Sequence, residues 1–207
     1  MQLYFSPFAC SMASHITVRE AGLDVELIPV LLRDKKTAAG DDFLAVNPKG
    51  QVPALRLADG SILTEGAAVL QYLADQKPAA GLLPAAGTRA RYDTIAWLNY
   101  VGTELHKACF AVMFSPDAPD AAKAWARGNV DKRLAYVASQ IGGRSVLVGD
   151  RFTIADAYLT WALHLCGMID VALPPACRRY LDGMEARPAV QAAIAVERDP
   201  AAAAQRR

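Results

Sequence analysis

Several features that would mark a nucleic-acid binder, a membrane protein or a metal centre are missing from these 207 residues. The four cysteines (Cys10, Cys109, Cys166 and Cys177) form no C-x-x-C pair and have no metal-ligand spacing, so no metal site is expected. Position 13, where a dithiol partner of Cys10 would stand, is Ala13. A thioredoxin-like dithiol cycle at Cys10 is therefore excluded. Charge of neither sign dominates: 22 Lys and Arg face 21 Asp and Glu, for a formal net charge of +1. With no basic stripe or run, no nucleic-acid partner is expected. The most apolar helical stretch, Ala155 to Met168, is interrupted by Asp156 and His164 and is too short to span a bilayer. It reads as a central core helix, and no membrane partner is expected. The first residues lack a charged region followed by an apolar region and a small-residue cleavage site. No signal peptide is expected, which points to a cytoplasmic protein with reduced thiols.

What is present is an ample core. Hydrophobic residues make up 53% and charged residues 21%, a globular composition. Met1 to Phe5 read as a short strand, and Met12 to Ala21 as a helix stopped by Gly22. Cys10 thus falls on a strand-to-helix turn, where free N–H groups and the helix dipole favour a thiolate or an anion. A buried structural cysteine is the alternative at this point. Val25 to Val30 form a second buried strand, which completes a βαβ unit with parallel strands. Leu31 to Gly40 read as a polar loop and Asp41 to Val46 as a short helix. Gln51 to Leu57 and Ser61 to Leu63 pair around the Asp59-Gly60 turn, with Pro53 at a strand start or sheet edge. A helix opens at Thr64-Glu65-Gly66 and runs to about Gln76.

Pro78, Gly81, Pro84 and Gly87 mark a linker. The expected division is an α/β thioredoxin-like domain over 1–77, a linker over 78–87, and an all-α helical domain over 88–207. The helices of the second part are expected over about 88–114, 120–141, 153–168, 175–186 and 188–197. Thr153 to Asp156 resemble a capping box, and the tail from Ala201 to Arg207 is expected to fray. Asn99, Thr103 and His106 recur at i, i+4 and i+7 and share one face of the long helix. A polar stripe of this kind is most often a wet face. The same holds for the loop lysines Lys35 and Lys36, and Glu65 alone reads as an ordinary acidic residue in a first helical turn. His15, one turn into the first helix, reads as packed or capping, and Cys109, Cys166 and Cys177 as inert. Trp97, Trp125 and Trp161 read as core or interface packing, while Tyr4 is undecided between core and cleft.

Five stretches together resemble a bacterial glutathione S-transferase of the beta class over the whole chain: Leu3-Tyr4-Phe5-Ser6-Pro7 with Cys10-Ser11, Asn47 through Leu55, Leu63 through Gly66, Asn99 through Lys107, and Phe152 through Ala157. The resemblance implies a thioredoxin-like half followed by a helical half, with glutathione as co-substrate and no permanently bound cofactor. It also implies a hydrophobic electrophile in the cleft between the domains, near Phe110 and Phe114, and a homodimer. Cys10, Ser11 and His106 would be catalytic. Val52, held by a cis Pro53, would pair with the cysteinyl backbone of glutathione. Glu65 and Gly66 would take its γ-glutamyl end, and Lys35 its glycyl carboxylate. Many relatives carry serine where this chain has Gly66, so a hydroxyl contact is lost. Thr103 and Lys107 would complete the glutathione set, with Asn99 serving the neighbouring subunit. The resemblance leaves two further functions open: thiol–disulfide reduction through a mixed disulfide at Cys10, and a non-catalytic binding protein.

Overall fold

In the computed structural model, which describes residues 1–199, five strands form one mixed sheet in the order β3-β2-β1-β4-β5. Strand β1 (Gln2–Phe5) lies parallel to β2 (Glu26–Leu31) and antiparallel to β4 (Ala54–Arg56). Between β1 and β2 runs α1 (Ser11–Ala21). Gly22, at φ 60°, ends α1 by donating to the Arg19 and Val18 carbonyls, a left-handed stop that glycine takes without steric cost. A two-residue strand β3 (Lys36–Thr37) pairs with β2 inside the stretch expected to be loop. The short helix expected over Asp41 to Val46 is a single 3₁₀ turn, Phe43–Ala45. Strand β5 (Ile62–Thr64) closes the hairpin with β4, and α2 (Gly66–Asp75) follows directly.

Alternation along the strands sends side chains to two cores. Leu3 and Leu55 pack with Val18, Val69 and Leu73 under α1 and α2. Tyr4 and Ala54 face the other way, onto Ile28, Val30, Phe43 and Val52. Tyr4 is thus a core residue, with its ring 5.7 Å from that of Phe43. The last described helix, α8 (Pro188–Arg198), also belongs to this unit, which comprises Met1–Leu83 and the chain from Glu185. The expected helical domain ran on to residue 207, but α8 packs against α1 and buries Val190, Ala193 and Ile194. Arg187, just before α8, donates Nε and Nη2 to the Glu20 carboxylate at 2.6 and 2.9 Å. The tail from Ala201 to Arg207 lies outside the described residues.

The second unit, Pro84–Met184, is helical. Its first helix is continuous but not uniform. It runs from α3 (Arg89–Tyr100) through a π-helical segment (Val101–Phe110) into α4 (Ala111–Phe114). In the π segment N–H groups reach five residues back, as the Ala111 N–H does to the His106 carbonyl. Then come α5 (Asp120–Ile141), α6 (Ile154–Met168) and α7 (Pro175–Glu185). Helix α6 is the core of the unit, buried from Ile154 to Leu163. The reciprocal cap at its start is present, Thr153 and Asp156 each bonding the other's backbone. Asp156 also accepts from Leu147 N–H and from the Tyr180 hydroxyl at 2.8 and 2.6 Å. Trp161 is buried in the core, whereas Trp125 is 61% exposed on this chain. No described helix is long and apolar enough to cross a membrane.

Candidate active site

Sheet register alone gathers the first group of candidate residues. Tyr4 pairs with Ala54, and Ala54 with Thr64. The residues after β1, before β4 and after β5 therefore leave the sheet at one end. Those are the Cys10 turn, Val52-Pro53 and Glu65. The Val52–Pro53 peptide is cis, and the Cys10 thiol donates to the Val52 carbonyl at 3.2 Å. Cys10 is partly exposed and is the N-cap residue of α1. Three of the four non-glycine residues with positive φ among the described residues fall at this end of the sheet: Phe8 at 56°, Lys35 at 54° and Glu65 at 69°. Such conformations are held only where surrounding structure over-determines them, and they cluster at functional sites.

The Cys10 turn is braced from within and from far along the chain. Ser11 Oγ is buried, accepts from Ser6 N–H at 3.1 Å and donates to Ser6 O at 3.3 Å. The Ser11 hydroxyl is thus bonded within the turn on both sides, and Ser11 shapes the loop that carries Cys10. Glu197 on α8 accepts the Phe8 N–H at 2.6 Å through Oε2 and lies 3.1 Å from His15 Nδ1 through Oε1. Arg19 Nε contacts His15 Nε2 at 3.3 Å. An arginine only donates, so Nε2 accepts and Nδ1 carries the hydrogen given to Glu197. Both His15 and Glu197 have fully buried side chains. His15 is a packed residue, and Glu197 is a positioning residue that spacing along the chain gave no means to find.

Lys35 Nζ donates to the Gly50 carbonyl at 2.8 Å. Its side chain lies over Gly50 so closely that a Cβ there would meet Lys35 carbons at 3.1 Å. Lys36 is exposed. Glu65 is the N-cap residue of α2, ahead of Gly66. The first N–H groups of an α-helix have no intrahelical acceptor and favour a carboxylate there. Lys49, not singled out from the sequence, reaches Glu65 Oε1 at 2.5 Å and Thr64 Oγ1 at 3.0 Å.

The remaining candidates lie on the helical unit. Asn99 and Thr103 are exposed, Thr103 Oγ1 donating to the Asn99 carbonyl at 3.0 Å and Asn99 Nδ2 to the Ile95 carbonyl at 3.0 Å. Asn99 ends up in α3 and Thr103 and His106 in the π segment, so the α-helical spacing assumed for this stripe does not hold throughout. His106 Nδ1 lies 3.0 Å from the Tyr158 hydroxyl, with its ring edge-on to Trp161. Burial pushes its imidazolium down to about 4, helped by the charge of Lys107. His106 is thus a neutral imidazole near pH 7. Lys107 is exposed. Phe110 is buried edge-on against Trp161 and offers no surface to a ligand, while Phe114 is 56% exposed. Among the described residues no group of three or more His, Cys, Asp or Glu is placed to hold a metal ion.

Residues 5–76 match the glutathione S-transferase N-terminal domain, and residues 103–188 match the C-terminal domain. Glutathione S-transferase GstA of Escherichia coli O157:H7 is 47% identical over 205 residues, which is 95% of this chain and 98% of that protein. The chain belongs to the glutathione S-transferase family. Solved structures agree. A sphingomonad glutathione S-transferase complexed with glutathione is 44% identical with a TM-score of 0.90, over 96% of this chain and 100% of that one. A bacterial beta-class glutathione S-transferase of Sphingomonas chungbukensis is 40% identical with a TM-score of 0.89, over 95% and 98% of the two chains. Within this fold family, the end of the sheet that carries Cys10, Val52, Pro53 and Glu65 is the candidate active site.

Proposed function

We propose that this protein is a glutathione transferase that binds glutathione at this sheet end and delivers its sulfur to an electrophilic carbon. The observation that carries the reading is the Cys10 thiol 3.2 Å from the Val52 carbonyl beside a cis proline, in a chain 44% identical to a relative complexed with glutathione. Val52 pairs with the cysteinyl backbone of the ligand like a strand added to an edge. This brings the glutathione sulfur to Cys10 and the N-terminus of α1. There the helix dipole and the Cys10 S–H stabilise a thiolate. The thiolate attacks the electrophile, the C–S bond forms, and the leaving group departs with the electron pair. Ser11 holds the turn. Lys35 meets the glycyl carboxylate, and Glu65 with the Gly66 N–H meets the γ-glutamyl end. The family resemblance assigns Thr103, His106 and Lys107 to glutathione and Phe114 to an apolar electrophile, and His106, uncharged at neutral pH, is suited to hydrogen bonding rather than to charge pairing. A homodimer with Asn99 directed to the partner's ligand is supported by the family and by exposed Tyr92 and Tyr136, and sedimentation velocity tests it. Turnover of 1-chloro-2,4-dinitrobenzene with glutathione, measured by chloride release and thioether formation, tests the main reading. Glutathione affinity without turnover on a panel of electrophiles and disulfides would replace it with a binding function.

Partial exposure of Cys10 at a helix N-terminus favours a second activity at the same place. The Cys10 thiolate attacks a glutathione-bearing disulfide, takes the glutathionyl sulfur into a mixed disulfide and releases the other thiol. A glutathione thiolate then attacks the mixed disulfide. Glutathione disulfide leaves and the Cys10 thiolate is regenerated.

A further inference from the structure

Given that glutathione docks at Glu65, we propose that Lys49 is a second recognition residue for its γ-glutamyl end. Glu65 takes the α-ammonium, and Lys49 transfers from Glu65 to the α-carboxylate. An amino-acid terminus carries opposite charges on one carbon. The protein presents a matching pair, Lys49 Nζ 2.5 Å from Glu65 Oε1, beside the first turn of α2. Both partners are held from the backbone side. Glu65 sits at φ 69°, a conformation that fixes where its side chain leaves the chain. Lys49 stands on a tied loop. Asn47 accepts the Lys49 N–H at 3.2 Å, donates to the Gln51 carbonyl at 2.7 Å, and takes the Gly50 N–H on its own carbonyl at 2.8 Å. The same loop offers the Gly50 carbonyl that seats Lys35. One braced turn therefore carries or seats a cation for each of the two carboxylates of glutathione. Charge counting gives the direction of the effect. Without ligand Lys49 pairs with Glu65. With ligand that pair is exchanged for two, Glu65 with ammonium and Lys49 with carboxylate. A lysine that only neutralised Glu65 would oppose binding, so the two roles predict opposite signs.

The test is the Kd of the full chain under reductant by calorimetry. Two ligands are compared: glutathione, and an analogue whose γ-glutamyl α-carboxylate is a carboxamide. Lys49 and Glu65 side chains are 54% and 69% exposed, so solvent screening keeps the effect modest. Lys49→Met is expected to weaken glutathione about fivefold and to leave the analogue within about twofold. Tighter glutathione binding by Lys49→Met, or equal loss for both ligands, overturns the proposal. Glu65→Gln separates it from the reading beneath. If that variant binds glutathione as the wild type does, docking at Glu65 fails and Lys49 fails with it. If Glu65→Gln loses affinity while Lys49→Met does not, only the role of Lys49 fails.

Discussion

Cys10 and Cys166 are the same side chain in opposite settings. Cys10 stands at the start of α1, partly exposed, its hydrogen given to the Val52 carbonyl. Cys166 lies within the apolar interior of α6, where burial pushes its thiol up to about 12. Cys177 on α7 is likewise pushed up to about 11 by burial. Reactivity here follows from where the fold puts a thiol: the turn offers N–H groups and solvent, the helical core neither.

The largest expected effect separates these two thiols outright. Cys10→Ser should lower glutathione-dependent disulfide reduction by about 100-fold or more, whereas Cys166→Ala should change it less than about twofold. Reductase turnover surviving in Cys10→Ser would remove the redox activity. Alkylation sharpens the same contrast without a mutation. Iodoacetamide on the native protein should modify Cys10 about 100-fold faster than the three buried cysteines, read by peptide mass. Equal rates would mean that the helical core opens as readily as the turn.

Next comes the bracing of the turn. Glu197→Gln leaves the Phe8 N–H and the His15 Nδ1–H facing a neutral amide and should cost about 2 kcal/mol of stability. A urea midpoint unmoved by the change would show that the buried carboxylate contributes nothing. His106 supplies a pH-dependent effect of similar size. Its folded-state value, about 4, lies below the ordinary 6.5, so the unfolded chain binds the proton first. Stability is then full above about pH 6.5 and falls as pH drops toward 4. His106→Gln should abolish about 2 kcal/mol of that loss, read from denaturation at pH 4.5 and 7.5. The smallest effect is at α2: Gly66→Ser should tighten glutathione binding by less than about threefold, and a weaker Kd would mean that the glycine is needed for space.

Motifs at the ends of strands that form the candidate site were legible from the chain. The turn at Cys10, the Val52-Pro53 step and the start of α2 at Glu65 each join a residue pattern to a local geometry. Strand β3 was not legible, because two residues carry no periodicity. The π segment was hidden for a related reason. Val101, Leu105 and Cys109 are buried at spacings of four, close enough to an α-helical stripe to pass for one. Glu197 stands 189 residues from Phe8, and no local pattern links them. Lys49 was inside a quoted motif, but its partner sits in another, and only the sheet register brings the two together.

Helix α8 also fixes an order of events during synthesis. Residues 84–184 leave the ribosome as an uninterrupted block, so the helical unit has all its parts as soon as that block is out. The thioredoxin-like unit does not. Its carboxylate for the Phe8 N–H and for His15 is residue 197, translated more than a hundred residues after Leu83. At about 5–20 residues per second that interval is roughly 6–23 s. Through it the nascent chain carries the strand-to-helix turn with its cysteine but not the residue that holds the turn in place. The turn at Cys10 can therefore be completed only after the whole helical unit has been translated, although the turn itself is among the first parts to emerge.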